Sequence, residues 1–311
     1  MAVDVPILSA ETVLTLKRQS PTLEALRRFT RHRSAQVGLL IFSILLLTAI
    51  FAPLIAPYDP ILPLTHVKRR DAPCIHLLGC PADQPQHLMG IDSNNRDLFS
   101  RLVFGSRLSL QIGLVTISFA ILVGGLLGAF AGFWGGWVDN IIMRLMDILL
   151  AFPGLLLAIA IVSVLGPGLI NALLAISIVS TPVYARVVRA SVLAVKNLDF
   201  VDASRALGAS NLRLVFTRIL PNALTPLIVQ GTLGIASAIL NAAALSFLGL
   251  GAEPPTPEWG LMLGSESNSV FNAPHLVFFP GLAIMVTVLS FNLIGDGLRD
   301  ALDPRLRGTV S

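Results

Sequence analysis

Charge is what this chain has least of. Only 13% of its 311 residues are Asp, Glu, Lys or Arg, against about 25% in an ordinary soluble domain. With 54% hydrophobic residues and a mean hydropathy of +0.77, a freely soluble globular protein is excluded and an integral membrane protein is indicated. Cysteine is nearly absent. Cys74 and Cys80 share one polar segment, where they either pair, if that segment faces an oxidising compartment, or stay free thiols. There is no G-x-x-x-x-G-K-[ST] phosphate loop and no His-Glu-x-x-His pair, so the chain has neither a nucleotide loop nor a metalloprotease motif of its own. The five histidines (His32, His66, His76, His87 and His275) are dispersed, which gives a metal site little support. No Ser–His–Asp spacing stands out. The expectation is therefore no catalytic residue, no metal and no cofactor bound by this chain. The basic excess, +4 with a pI near 9.6, lies beside apolar runs and not on a soluble domain. It sets orientation and argues against nucleic acid.

What is present is a series of membrane-length apolar runs. Residues 1–35 form a polar N-terminal segment carrying Lys17, Arg18, Arg27, Arg28, Arg31 and Arg33. This is not the pattern of a cleavable signal, and it places the N-terminus in the cytoplasm. Leu23, Leu26 and Phe29 fit either a short helix on the membrane surface or a frayed tail. The first span is expected over Gln36–Ala56, within a segment bounded as 36–57, at about the 20 residues that a bilayer core requires. An external loop, 58–104, follows; its Lys68, Arg69 and Arg70 run against the positive-inside rule. Five further spans are expected in a second unit, 105–298: Leu108–Phe133, Ile141–Leu165, Leu169–Val188, Asn222–Leu248 and Leu276–Ile294. A cytoplasmic tail, 299–311, closes the chain.

Several details inside these spans bear on function. Gly124, Gly125, Gly128 and Gly132 would let a neighbouring helix approach closely. Pro153 should kink the third span. Arg144 and Asp147, three apart on one helix face, read as a local or inter-helix ion pair. Gln230, Gly234, Ser237 and Asn241 recur at helical spacing. They form either inter-helix hydrogen bonds or a wall of a translocation path, with Gln230, Ser237 and Asn241 as its polar members. The loop Gly249–Pro274 holds Glu253, Glu258 and Glu266 but no Lys or Arg, which places it outside.

Between the fourth and fifth apolar runs lies a polar stretch, Asp199–Pro221, DFVDASRALGASNLRLVFTRILP. Asp199 and Asp202 suit a helix N-terminus, and Phe200, Ala203 and Leu207 share a face. Gly208 then ends or bends the helix. A second amphipathic run (Leu212, Val215, Phe216, Ile219) leads to Pro221. Six spans with both termini inside put this helix–glycine–helix cassette on the cytoplasmic face.

The cassette resembles the cytoplasmic EAA loop of ABC importer permeases. Asp202, Ala203 and Ser204 stand where that pattern has Glu-Ala-Ala, followed by Gly208 and by Ile219, Leu220 and Pro221. Three further stretches are similar to the second permease subunit of dipeptide, oligopeptide and nickel importers. HLMGIDSNNRDLFSRL carries His87, Gly90, Asp92, Arg96 and Asp97 of its signature, with Ile91 and Asn95 in place of the usual Thr and Gly. SFLGLGAEPPTPEWGLML and GDGLRDALDPRLRG match it nearly throughout. Residues 30 to 308 or so are covered.

The resemblance implies an all-α membrane protein of six spans, with the type I ABC importer permease fold and a coupling helix between spans 4 and 5. It implies a permease that is not itself an enzyme and that resides in a bacterial or archaeal plasma (inner) membrane. The implied partners are a second homologous permease, two cytoplasmic ATPase subunits that bind ATP and Mg, an external substrate-binding protein, peptide substrate and membrane lipid. On this reading Asp202, Ala203, Ser204, Leu207, Gly208 and Ala209 contact the ATPase. Phe200, with Leu212, holds the cassette to its bundle. A secondary transporter driven by an ion gradient would instead need ionisable groups near the bilayer midplane, and a membrane enzyme would need paired catalytic residues within spans.

Overall fold

The computed structural model describes residues 21–81 and 84–302. The readings of Lys17 and Arg18, and of most of the tail 299–311, therefore fall outside the described residues. The described chain is helical, with two isolated β-bridges, Cys74 to His87 and Ile91 to Asp97. Helix α1 (Pro21–Arg31) is amphipathic. It breaks at His32, whose backbone is extended, before α2 (Arg33–Ile50). A one-turn helix, Ala52–Ile55, ends this first apolar run.

The loop that follows is short of regular structure and ends sooner than expected. Helix α3 spans Leu98–Trp134 and so begins ahead of both the expected residue Leu108 and the boundary at 104. Asp97 explains the early start. Its carboxylate accepts the Ser100 backbone N–H at 2.8 Å and the Ser100 hydroxyl at 2.8 Å, capping a helix terminus that would otherwise leave donors unpaired.

The third apolar run is α4 (Gly136–Leu150) and α5 (Gly154–Leu165), bent by 92° at Pro153. This is far more than a kink. Pro153 has no N–H to continue the ladder, and α5 alone, at 12 residues, is about 18 Å long, too short for a bilayer core. Helix α6 (Leu169–Val195) follows, then α7 (Asp199–Ala206), α8 (Asn211–Leu214), a π turn at Val215–Ile219, α9 (Leu220–Phe247), α10 (Trp259–Glu266) and α11 (His275–Leu302). Among the described residues, five stretches are long and apolar enough to cross a membrane, six with the bent pair counted as one crossing. The continuous run Asn211–Phe247 joins the second half of the cassette to the fifth span.

The core sits where α3 packs along α6, the most extensive helix pairing in the chain. A Cβ on Gly128 would overlap the Ala185 carbonyl, so only glycine allows this approach; van der Waals packing of this kind holds helices together in lipid. Arg144 and Asp147 do not pair with each other. Asp147 reaches across to Arg186 at 2.5 Å, and Asp139 takes a two-pronged bond from Arg189 at 2.5 and 2.6 Å. These pairs fasten α4 to α6, because a guanidinium on the facing helix can align both its donors with a carboxylate.

Candidate functional site

The cassette stands at one end of the bundle. In α7 the first turn carries Asp199 and Asp202, complementing the positive helix terminus, and the last turn carries Arg205. Arg205 and Asp202 pair at 2.8 Å, both more than half exposed, so the pair adds little stability. The helix closes on two backbone bonds, Gly208 N–H to Arg205 O at 3.0 Å and Ala209 N–H to Ser204 O at 3.1 Å. That is the Schellman arrangement, which needs a left-handed residue just past the helix. Gly208 supplies it with φ +83°. No heavy atom lies within 4 Å of a Cβ built there, so backbone conformation, not space, requires glycine. Ser210 then begins α8 in extended geometry.

The cassette is fixed to the bundle by Val201, Leu214, Val215 and Ile219, all essentially buried in the main core, with Ala209 packed beside them. The expectation for Phe200 and Leu212 is corrected here: they are 42% and 55% exposed. The rotation of α7 turns Val201 inward and leaves Phe200, one residue and about 100° away, on the outer side. Asp202, Ala203, Leu207 and Gly208 are also exposed, Leu207 at 89%, whereas Ser204 and Ala209 are half-buried.

The stripe on α9 divides. Gly234 is buried where α9 meets Tyr184 of α6, so it serves helix contact. Ser237 is exposed, and Asn241 is half-buried. Gln230 lines a cavity of about 420 Å³ between α6, α9 and α11 at the cassette end, with Thr225 and Arg299 as further polar members. Toward the opposite end, a cavity of about 650 Å³ between α9, α10 and α11 is apolar apart from Asn292.

That opposite end is closed by a polar cap which sequence reasoning had only in fragments. Asp92 accepts the backbone N–H groups of Asn94 and Arg96 at 2.8 Å each and the Arg96 guanidinium at 2.8 Å. Arg101, buried and 3.6 Å from Asp92, donates to the carbonyls of Pro60, Pro255 and Thr256 at 2.8 to 3.2 Å. Glu266 holds Ser93 and stands 3.6 Å from Arg70. The basic run that breaks the positive-inside pattern is thus partly absorbed into this network. His87 is a structural hydrogen-bonder, to Asp97 at 3.0 Å and not to Asp92. Asn95, where glycine is usual, has φ +60°, a conformation that asparagine tolerates better than most residues. Cys74 and Cys80 are joined as a disulfide, Cα atoms 5.4 Å apart, and Cys74 also bridges to His87. Glu258 caps α10 through Gly260 and Leu261 N–H, and burial pushes its carboxyl above the usual range. Among the described residues no cluster of three metal-ligating side chains occurs.

Residues 124–308 match the family described as binding-protein-dependent transport system inner membrane component, and residues 20–73 match the N-terminal transmembrane domain of oligopeptide transport permease C. A di/tripeptide transport system permease protein DppC of Pseudomonas aeruginosa is 50% identical over 94% of both chains. A dipeptide transport system permease protein DppC of Alkalihalophilus pseudofirmus is 48% identical, over 93% of this chain and 91% of its own length. Among solved structures, an inward-facing MetNI methionine ABC transporter matches with a TM-score of 0.53 at 20% identity, over 65% of this chain and 97% of that one. This likeness carries the fold alone.

Proposed function

The chain belongs to the family of binding-protein-dependent transport system inner membrane components, and from that premise we propose that it passes di- and oligopeptides through a path shared with a second permease and driven through the cassette. It is a multi-pass inner-membrane permease subunit of an ABC importer, and its family is one of permeases, not enzymes. A second permease, ATPase partners and a substrate-binding protein go with that membership in general. The finer assignment is our own. The ATPases, two per transporter, bind ATP and Mg on the face that bears the cassette, and both termini lie on that cytoplasmic side. The capped end meets the binding protein. The peptide assignment draws on the two DppC relatives and on the polar residues Gln230 and Ser237 of α9.

The observation that carries the coupling role is a rigid helix–glycine–helix unit whose inner side is locked by Val201, Leu214 and Val215 while Leu207 stands 89% exposed. A partner that grips such a unit can move the bundle as a body. The ion-gradient alternative has no observation behind it; Asp139 and Asp147 of α4 are both engaged by arginines. A mild-detergent pull-down of the tagged chain from its native membranes tests the assignment. Recovery of a homologous permease with ATPase subunits is expected, and a co-purified binding protein would report the cargo. A chain that stays alone after crosslinking overturns it.

A further inference from the structure

The crook of the cassette contains a cleft of about 210 Å³, floored by Ser204, Gly208 and Ala209 and flanked by Arg213, Thr217 and Arg218. Its two arginines stand five apart, which on an ordinary helix would turn them away from each other. The π turn at Val215–Ile219, with its i→i+5 bonding, brings residues five apart toward one side, and such turns recur at functional sites. The turn is locally supported: Thr217 Oγ1 donates to the Arg213 carbonyl and Asn222 Nδ2 to the Arg218 carbonyl, each at 2.6 Å.

The charge is one-sided. Asp202 is already matched by Arg205, and neither Arg213 nor Arg218 has a carboxylate within ion-pair distance among the described residues. Of the three arginines and two aspartates between Asp199 and Arg218, the unmatched positive pair faces the cleft. A polar cavity of this volume holds one carboxylate side chain with a few ordered waters, each needing about 30 Å³. Four of the contact residues assigned to the ATPase, Ser204, Leu207, Gly208 and Ala209, line it, so whatever docks on them meets both guanidinium groups.

We propose that the cleft between Arg213 and Arg218 is the socket for an acidic side chain of the partner ATPase, the two guanidinium groups gripping its carboxylate. This rests on the coupling reading above and adds a residue-level lock to it. Arginine suits the task because its planar fork bonds a carboxylate through two donors.

The test uses the whole transporter in nanodiscs. Arg213→Lys and Arg218→Lys keep the charge and supply an amine, so a zero-length carbodiimide should join one or both to an Asp or Glu of the ATPase, identified by mass spectrometry. The double variant Arg213→Gln/Arg218→Gln should lower ATP hydrolysis by the assembled transporter about tenfold, the scale of a lost interfacial charge contact, and the Lys variants should restore much of it. Leu207→Cys, linked by a thiol reagent, checks the coupling reading separately. If it links to the ATPase but the Lys variants do not, and the Gln pair hydrolyses normally, the socket is overturned and the coupling reading stands. If it fails to link, the coupling reading itself falls. If the Lys variants give no link to the ATPase and the Gln pair is impaired only in nanodiscs rich in anionic lipid, the cleft serves a lipid phosphate and the proposal is wrong.

Discussion

The two ends of the bundle use the same side chains in opposite ways. At the capped end, Asp92, Arg96, Asp97 and Arg101 are all buried and answered within the chain: Asp92 by Arg96, Asp97 by His87 and Ser100, and Arg101 by nearby carbonyls. At the cassette end, Asp202, Arg205 and Leu207 are exposed, and Arg213 and Arg218 line an open cleft. A buried charge must be satisfied inside the chain, because desolvation is costly without a partner. An exposed one is left available to another molecule. Self-satisfaction marks the capped end and availability marks the cassette end.

The comparison breaks first at Asp92. Asp92→Ala would leave Arg96 and Arg101 buried without their carboxylate, a loss of about 3–5 kcal/mol. Thermal unfolding followed through the buried Trp259 should show a large fall, and an unchanged transition would remove the cap from the stability argument. Gly208→Leu comes next. A left-handed backbone costs an L-residue about 1–2 kcal/mol, so the protein should still insert while ATP hydrolysis is uncoupled from uptake. Normal uptake at normal expression would sink the coupling role.

Asp202→Ala sharpens the contrast from the other side. Its exposed pair with Arg205 is worth no more than about 0.5 kcal/mol, so melting should barely move while ATPase recovery in a pull-down declines. A melting loss comparable to that of Asp92→Ala would erase the distinction between the two ends. The finest effect is at Glu258. Burial raises its carboxyl in the folded chain, so the unfolded chain releases that proton at lower pH. This group therefore favours the fold below its ordinary value of 4.5, and that support fades as pH rises through the raised value. Hydrogen exchange of α10 should become faster over that window, and Glu258→Gln should flatten the profile.

Much of this could be read in advance where the signal is local. Apolar runs of bilayer length, glycines spaced for close approach and Gly208 between two amphipathic runs each carry their meaning within a few residues. The cap was less legible. His87, Asp92, Arg96 and Asp97 could be picked out as a motif, yet their neighbours Ser93 and Arg101 meet Glu266, Pro255 and Thr256, more than 150 residues away in sequence. No periodicity links such distant positions. The rotation of α7 was also hidden: Phe200 and Val201 are both apolar, and only packing against the core settles which one turns inward.

The sequence by itself determined that the chain lives in a membrane, how many apolar runs it has and where the glycine-broken cassette falls. Partition into lipid and backbone conformation act on short segments, so composition and local order are enough. Tertiary structure alone decided that Asp147 meets Arg186 and not Arg144, that His87 meets Asp97 and not Asp92, and that the run at Pro153 bends by 92°. The first of those outcomes depends on how far each helix turns about its own axis. A shift of one residue rotates a side chain by about 100°, and only the packed neighbours fix that angle.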